Sequence, residues 1–80
     1  MAQHLGERLR QARMATGLTV YEAAKRIGMP NQALYRLERV RTLGRVHVAT
    51  LKKLAALYGV TIDYLVYDVD YDDDEDAHAA

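Results

Sequence analysis

The strongest constraint on the fold is the stretch 18–38, LTVYEAAKRIGMPNQALYRLE, which predicts two short helices joined by a tight turn. Thr19 and Glu22 have the spacing of a capping box, in which each side chain accepts a hydrogen bond from a backbone N–H of the other residue. Gly28 predicts the end of this first helix, because glycine adopts the left-handed conformation without steric cost. The stretch therefore predicts a helix, a turn centred on Gly28 and a second helix directly after it.

The second predicted helix, 31–39, has one apolar and one polar side. Pro30 and Asn31 suit its start, since proline has no N–H to lose in a first turn and asparagine can act as a cap. At 100° per residue, two leucines and one carboxylate lie together on one side: Leu34, Leu37 and Glu38. The opposite side carries polar and cationic residues: Gln32, Tyr35, Arg36 and Arg39.

The polar side of this helix has side chains that can recognise base edges in a DNA major groove. Asparagine and glutamine amides pair in a bidentate way with adenine, and arginine does so with guanine, while a tyrosine ring can contact a thymine methyl group. The common alternative is an amphipathic helix whose polar side is only solvated. The preceding turn and the spacing favour DNA recognition. The predicted base-contacting residues are Asn31, Gln32, Tyr35 and Arg36.

The stretch resembles the Cro and phage-repressor type of helix-turn-helix, the XRE family, and the resemblance covers about residues 5–65. It rests on residues at the family's motif positions: Arg13, Gly17, Leu18, Thr19, Ala24, Gly28 and Glu38. The pattern TLKKLAALYGVTIDYL, 50–65, resembles the family's fourth helix and the start of its fifth. The resemblance implies a homodimer that places its third helix in the major groove, and a structural salt bridge between Arg13 and Glu38.

The sequence departs from the family pattern at three places. Val20 stands where the family often has a glutamine that touches a phosphate, and Val40 stands where it often has a glycine. The connection from Glu38 to Gly59 is about two residues longer than usual, so a different path is expected for the loop 40–46. The phosphate contact is expected to be lost or to pass to one of three residues in or beside the second helix: Thr19, Tyr21 or Lys25.

Cationic residues after the third helix are the other candidates for contact with the DNA backbone: Arg39, Arg41 and Arg45. For each of them a solvated surface charge is an equally good interpretation, and the cluster is more persuasive than any member. Arg8 and Arg10 of the first helix are interpreted as plain surface charges.

The remaining helices complete a five-helix all-α domain. The first helix, 4–16, is predicted from its apolar spacing, with three residues on one face: Leu5, Leu9 and Ala12. A fourth helix, 47–58, is predicted to direct five residues inward: Val48, Leu51, Leu54, Ala55 and Tyr58. Thr61 can cap a short fifth helix, 62–66. At 80 residues one core is expected, and dimerisation would add burial.

The net charge of zero hides a strong asymmetry along the chain. All 11 Lys and Arg residues but only four acids lie in 1–67, so this part carries +7, and seven acids in 68–80 carry −7. A cationic body suits phosphate contacts and electrostatic steering. The sequence therefore predicts a helix-turn-helix domain over 1–67 and an acidic tail over 68–80.

The tail begins with an alternation of apolar and acidic residues that is typical of a β-strand. Tyr67, Val69 and Tyr71 alternate with aspartates, so a strand over 66–71 is one prediction. A lone strand needs a partner, and pairing or packing across a homodimer with Tyr64 is the hypothesis. The alternative is a disordered tail whose tyrosines rest on the domain.

The acidic run 72–76 is predicted to be disordered and solvated. It is interpreted either as a solubility element or as an autoinhibitory polyanion that competes with DNA for the cationic face. Asp70, Asp72 and Asp74 have a spacing that suggests calcium ligands, but the run lacks the glycine and distal glutamate of a calcium loop, so no metal site is predicted.

The sequence argues against several classes of function. The chain has no cysteine, which removes disulfides and thiolate metal sites and fits a reducing cytoplasm. It has no signal peptide and no apolar run near 18 residues, so no membrane partner is expected. The three histidines are scattered and no nucleophile–base set or glycine-rich phosphate loop occurs, so neither an enzyme nor a cofactor is predicted.

The preferred interpretation is a DNA-binding transcriptional regulator, a repressor that binds an inverted-repeat operator as a homodimer. The alternative is an antitoxin-like or other protein-interaction module that uses the helix-turn-helix fold. The aromatic C-terminal segment and Val20 favour this alternative slightly.

Overall fold

The computed structural model describes residues 4–44 and 46–71, and in them the chain folds as five helices without a strand. The helices are α1 (Leu5–Thr16), α2 (Val20–Ile27), α3 (Asn31–Leu37), α4 (Val48–Tyr58) and α5 (Ile62–Val66). The predicted five-helix all-α architecture is therefore confirmed. The third helix ends two residues earlier than the sequence predicts.

The helix-turn-helix forms through local hydrogen bonds. The capping box is present: the Glu22 amide donates to the Thr19 hydroxyl at 3.1 Å, and the Thr19 amide donates to the Glu22 carboxylate at 2.9 Å. Gly28 ends α2 with φ +75°. These contacts connect residues at most a few positions apart, which is why the sequence alone predicts them.

The start of α3 differs from the prediction. Pro30 is the cap residue, in an extended conformation with φ −61° and ψ 144°, and its carbonyl accepts from the Ala33 and Leu34 amides. Asn31 is the first helical residue, and its side chain makes no cap hydrogen bond. Because Asn31 is not needed as a cap, its amide side chain stays available to a ligand.

The start of α1 is tied to the segment that follows α3. The amides of Leu5 and Gly6 donate to the carbonyls of Arg41 and Val40, at 3.3 and 2.8 Å. Two of the free N–H groups at a helix start are thereby satisfied by a distant part of the chain. This pairing fixes the first residues of the loop 40–46 against α1.

The core is formed by leucine and alanine side chains from all five helices, with one tyrosine and one valine. Its fully buried leucines come from every helix except α2, which contributes two alanines: Leu5, Leu9, Leu34, Leu51, Leu54, Leu65, Ala23 and Ala24. The small alanines let α2 approach both α3 and α4 closely. No charged side chain of the described residues is fully buried.

The prediction that Val48 points inward is wrong, since its side chain is 61% exposed. Val48 is the first residue of α4 and lies on the same side as Leu51 and Ala55, one turn before the buried part of the helix. The helical period predicts the side of α4 on which Val48 lies. The first turn of α4 nevertheless leaves Val48 uncovered by the other helices.

The segment after α5 folds back on the domain without forming a strand. Val69 is buried, while Tyr67 and Tyr71 are exposed, so the three residues do not share one face. Asp68 has φ +59°, which interrupts the extended backbone on which the predicted alternation depends. Pairing of this segment between two chains stays a prediction.

Candidate nucleic-acid interface

The outer side of α3 presents the four predicted base-contacting residues. Leu34 is fully buried and anchors the helix, whereas Tyr35 is 56% exposed. Asn31, Gln32 and Arg36 are also exposed. Residues four apart lie one turn from each other on the same side of a helix, so two pairs form one strip: Asn31 with Tyr35, and Gln32 with Arg36.

The start of α3 and the outer side of α2 form one surface. A shallow depression lies between them, lined by Tyr21, Ala24, Lys25, Met29 and Asn31. Tyr21 and Lys25 are exposed at its edge. Two of the residues that the sequence predicts to contact the DNA backbone are therefore adjacent to the strip on α3.

Thr19 lies at the N-terminal end of α2, but its polar groups already have partners. Its hydroxyl accepts from the Glu22 amide and lies 3.2 Å from a Glu22 carboxylate oxygen. Glu22 in turn accepts from the Thr19 amide, and these hydrogen bonds lower the pKa of the Glu22 carboxyl. Thr19 contributes chiefly by fixing the start of α2, and Tyr21 and Lys25 are the better candidates for a phosphate.

The cationic residues after α3 differ in their surroundings. Arg39 is exposed, and its guanidinium lies 5.7 Å from the centroid of the Tyr35 ring, with the tyrosine hydroxyl at 3.5 Å. This stacking links a predicted backbone residue to a predicted base-contacting residue. Arg41 is exposed, and its carbonyl accepts from the Leu5 amide. Arg45 lies outside the described residues.

The predicted Arg13–Glu38 pair positions this surface. The Arg13 guanidinium donates to both carboxylate oxygens of Glu38, at 2.7 and 3.1 Å, and the two side chains are 12% and 5% exposed. The hydrogen bond with Glu38 raises the pKa of Arg13. Arg13 also donates to the Leu18 carbonyl at 2.9 Å. One side chain of α1 thus holds both the entry to α2 and the exit of α3.

Tyr58 lies in the core near this ion pair. Its hydroxyl is buried and has no hydrogen-bond partner among the described residues. Burial, together with the negative charge of Glu38, raises the pKa of Tyr58 to about 12. Tyr58 therefore supports the fold as a neutral phenol.

Sequence reasoning misses the role of Arg8, which is not a plain surface charge. Its guanidinium donates to the Tyr64 carbonyl and lies 5.5 and 5.9 Å from the ring centroids of Tyr64 and Tyr67. These residues are more than fifty positions apart, so no local pattern indicates the contact. A depression of about 460 Å³ beside them is lined by Arg8, Thr61, Asp63, Tyr64 and Tyr67.

The residues predicted for dimerisation divide into two groups. Tyr64, Tyr67 and Tyr71 are 41%, 73% and 77% exposed, so their rings are available to a second chain. Val69 is 7% exposed and belongs to the core of its own chain, so it is not part of this exposed aromatic surface, and its role in dimerisation stays a prediction. The left-handed backbone at Asp68 turns Val69 inward.

A groove that the sequence does not predict lies on the other side of α3. It has a volume of about 660 Å³ and separates α3 from the start of α4. We call it the α3–α4 groove, and eight residues line it: Met29, Ala33, Arg36, Leu37, Val40, Val46, His47 and Thr50. Arg36 therefore faces both the α3 strip and this groove.

Residues 4–44 and 46–71 contain no group of three or more histidine, aspartate or glutamate side chains placed to hold a metal ion. Within the same residues no helix is long and apolar enough to cross a membrane, and the longest, α1, has 12 residues.

The sequence matches known proteins over most of its length. A family model described as a helix-turn-helix domain matches residues 4–65. The chain is 40% identical to the HTH-type transcriptional regulator ImmR of Bacillus subtilis (strain 168) over 62 residues, which are 78% of this chain and 47% of that protein.

A second relative has a similar degree of identity. It is the uncharacterized transcriptional regulator in the ATPase CF(0) region of Rhodospirillum rubrum, 36% identical over 70 residues, which are 88% of this chain and 63% of that protein. The chain thus spans between 47% and 63% of the length of these two curated relatives. With its capping box, glycine turn and Arg13–Glu38 pair in place, the chain belongs to the helix-turn-helix domain family, of the XRE type.

Proposed function

We propose that this protein is a sequence-specific DNA-binding transcriptional regulator that acts in the cytoplasm as a repressor. The observation that carries the proposal is the continuous exposed strip of Asn31, Gln32, Tyr35 and Arg36 on α3, with Tyr21 and Lys25 of α2 beside it. Amide and guanidinium groups on one side of a short helix match the donor and acceptor pattern of a major groove. Both relatives are named transcriptional regulators, which supports the same class of function.

In this proposal α3 enters the major groove and the flanking cations bind phosphates. Gln32 and Arg36 contact base edges, and Asn31 and Tyr35 contact the neighbouring bases or the thymine methyl groups. Tyr21 and Lys25 bind phosphates of the DNA strand on one side of the groove. The cationic residues after α3 bind phosphates on the other side: Arg39, Arg41 and Arg45.

The proposed active form is a homodimer. Tyr64, Tyr67 and Tyr71 are large exposed aromatic side chains, and tyrosine is enriched in protein interfaces. A two-fold dimer would place its two α3 helices about 34 Å apart, one turn of DNA, so that each occupies one half of an inverted repeat. Repression then follows when the bound dimer blocks access of the polymerase.

The experiment that tests the proposal is a selection from a random double-stranded DNA library with the full chain, at near-physiological salt. We expect an enriched inverted repeat with half-sites one helical turn apart. Bulk binding that depends on salt but enriches no sequence would contradict sequence-specific regulation. It would favour the antitoxin-like or other protein-interaction module instead, and the α3–α4 groove would then be its first candidate surface.

A further inference from the structure

The α3–α4 groove combines an apolar floor with a polar and cationic rim. Its floor is formed by half-buried side chains, among them Ala33, Leu37 and Val46, while Arg36 and His47 stand exposed at its rim. Arg39 follows one turn after Arg36 on the same exposed side of the chain. Within 4–44 and 46–71, no carboxylate forms an ion pair with Arg36 or Arg39.

The last described residues, Asp70 and Tyr71, are linked to the lining of this groove through the loop 40–46. The Leu43 amide donates to the Asp70 carbonyl at 2.9 Å, and the Val46 amide donates to the Leu43 carbonyl at 3.1 Å. Val46 is itself one of the residues that form the groove floor. Two hydrogen bonds therefore connect the groove to Asp70, and the buried side chain of Val69 fixes the end of the described chain to the core.

The residues that follow Tyr71 have the opposite charge to the groove rim. Residues 72–76 are DDDED, five consecutive carboxylates. An extended residue spans about 3.3 Å, so the five residues reach about 17 Å from Tyr71. This reach is close to the shortest dimension of the domain, 18 Å. A segment tethered so closely has an effective concentration in the millimolar range at a nearby surface.

From this arrangement we propose that residues 72–76 dock across the rim of the α3–α4 groove in the free protein, with their carboxylates against Arg36 and Arg39. Docking masks part of the surface that α3 presents to DNA. The regulatory consequence rests on the proposed DNA-binding function: DNA must displace the acidic segment, so weak and nonspecific sites are disfavoured. The docking itself does not depend on that function.

The first test observes docking without DNA, in the full-length chain. In a neutralised variant all five carboxylates become amides: Asp72→Asn, Asp73→Asn, Asp74→Asn, Glu75→Gln and Asp76→Asn. A matched control keeps every charge: Asp72→Glu, Asp73→Glu, Asp74→Glu, Glu75→Asp and Asp76→Glu. Backbone amide chemical shifts of both variants and the unaltered chain are compared at low salt, where exposed charges are least screened.

We expect the amide signals of Ala33, Arg36 and Thr50 to move in the neutralised variant and to stay in place in the control, while those of Arg8 and Tyr64 stay in place in both. Signals of the groove that do not move would overturn the docking. Signals that move but depend on protein concentration would also overturn it, because a second copy of the chain would then be the occupant.

The second test measures DNA affinity over a range of salt concentrations. The neutralised variant, in which Arg36 and Arg39 are released, should bind the selected DNA on the order of tenfold more tightly than the unaltered chain at low salt. The difference between the two affinities should vanish as the salt concentration rises. Equal affinity at every salt concentration would overturn the autoinhibition. Groove signals that move while no variant binds a specific sequence would refute the proposed function alone, and specific binding with immobile groove signals would refute the docking alone.

Discussion

Gly6 of α1 lies against the backbone of Glu38, at the end of α3. A Cβ atom at Gly6 would be 2.4 Å from both the carbonyl carbon and the carbonyl oxygen of Glu38, and 2.8 Å from the amide nitrogen of Arg39. Only a residue without a side chain permits this approach. The close contact lets the Gly6 amide reach the Val40 carbonyl at 2.8 Å and sets the position of α3 relative to α1.

The first prediction concerns this contact. Gly6→Ala should lower the free energy of unfolding by about 2 kcal/mol, because the obstructing atoms belong to the backbone and the chain itself must shift. Urea denaturation measures the change. Gly17→Ala is the comparison, since Gly17 has φ +81° but open space around it, and about 1 kcal/mol is expected there. A Gly6→Ala protein as stable as the unaltered chain would contradict the close packing.

The ion pair between Arg13 and Glu38 gives the second prediction. Glu38→Ala should destabilise the fold by about 3 kcal/mol, because it leaves the Arg13 guanidinium largely buried without its partner. Glu7→Ala, which removes an exposed carboxylate from α1, is the control and should cost less than about 1 kcal/mol. A melting temperature unchanged by Glu38→Ala would rule out the structural role of the pair.

Tyr58 gives a prediction about pH. Its pKa is about 12 in the folded chain against about 10 in the unfolded chain. The folded state therefore favours the neutral phenol, and this contribution to stability is complete below pH 10 and is lost as the pH rises to about 12. Tyr58→Phe should remove this part of the alkaline destabilisation, measured by denaturant unfolding between these pH values.

Near neutral pH the same substitution should leave stability unchanged or raise it by up to about 1 kcal/mol, because it removes a buried hydroxyl without a hydrogen-bond partner among the described residues. Tyr71→Phe, at a ring that is 77% exposed, is the control for the alkaline titration and should behave like the unaltered chain. A loss of several kcal/mol in Tyr58→Phe at neutral pH would show that the hydroxyl has a partner.

The strip on α3 gives the fourth prediction. On a selected operator, Gln32→Ala and Arg36→Ala should each weaken binding by about 1–3 kcal/mol and relax the sequence preference at one position. Arg39→Ala should instead weaken binding to all sequences alike and reduce the salt dependence by about one phosphate contact. Gln11→Ala and Arg10→Ala, at exposed positions of α1, are matched controls. If Gln32→Ala and Arg36→Ala bind like these controls, α3 is not the recognition helix.

The exposed tyrosines after the fourth helix give the fifth prediction. Tyr67→Ser should shift the proposed dimer towards monomer in sedimentation measurements, since it removes a large ring from the proposed interface, while the helical circular dichroism stays the same. Tyr21→Ser removes a ring from α2 that is 61% exposed, against 73% for Tyr67, and should leave the mass unchanged. If both Tyr67→Ser and Tyr21→Ser have the same mass in solution as the unaltered chain, the dimer interface lies elsewhere.

Sequence by itself determined the elements of this fold whose causes are local. The capping box of Thr19 and Glu22, the glycine that ends α2 and the helical spacing of the buried leucines act within about one or two helical turns, where the order of residues fixes the geometry. The exposed strip on α3 follows from the same period.

Tertiary structure alone decided which distant residues meet. It placed Gly6 against Glu38, brought Arg8 to the rings of Tyr64 and Tyr67, left Val48 uncovered and buried Val69 in the core after the left-handed backbone of Asp68. The α3–α4 groove and the hydrogen bond from Leu43 to Asp70 arise in the same way. These features depend on how whole helices pack, and packing distances between residues far apart in the chain are not encoded in any local pattern.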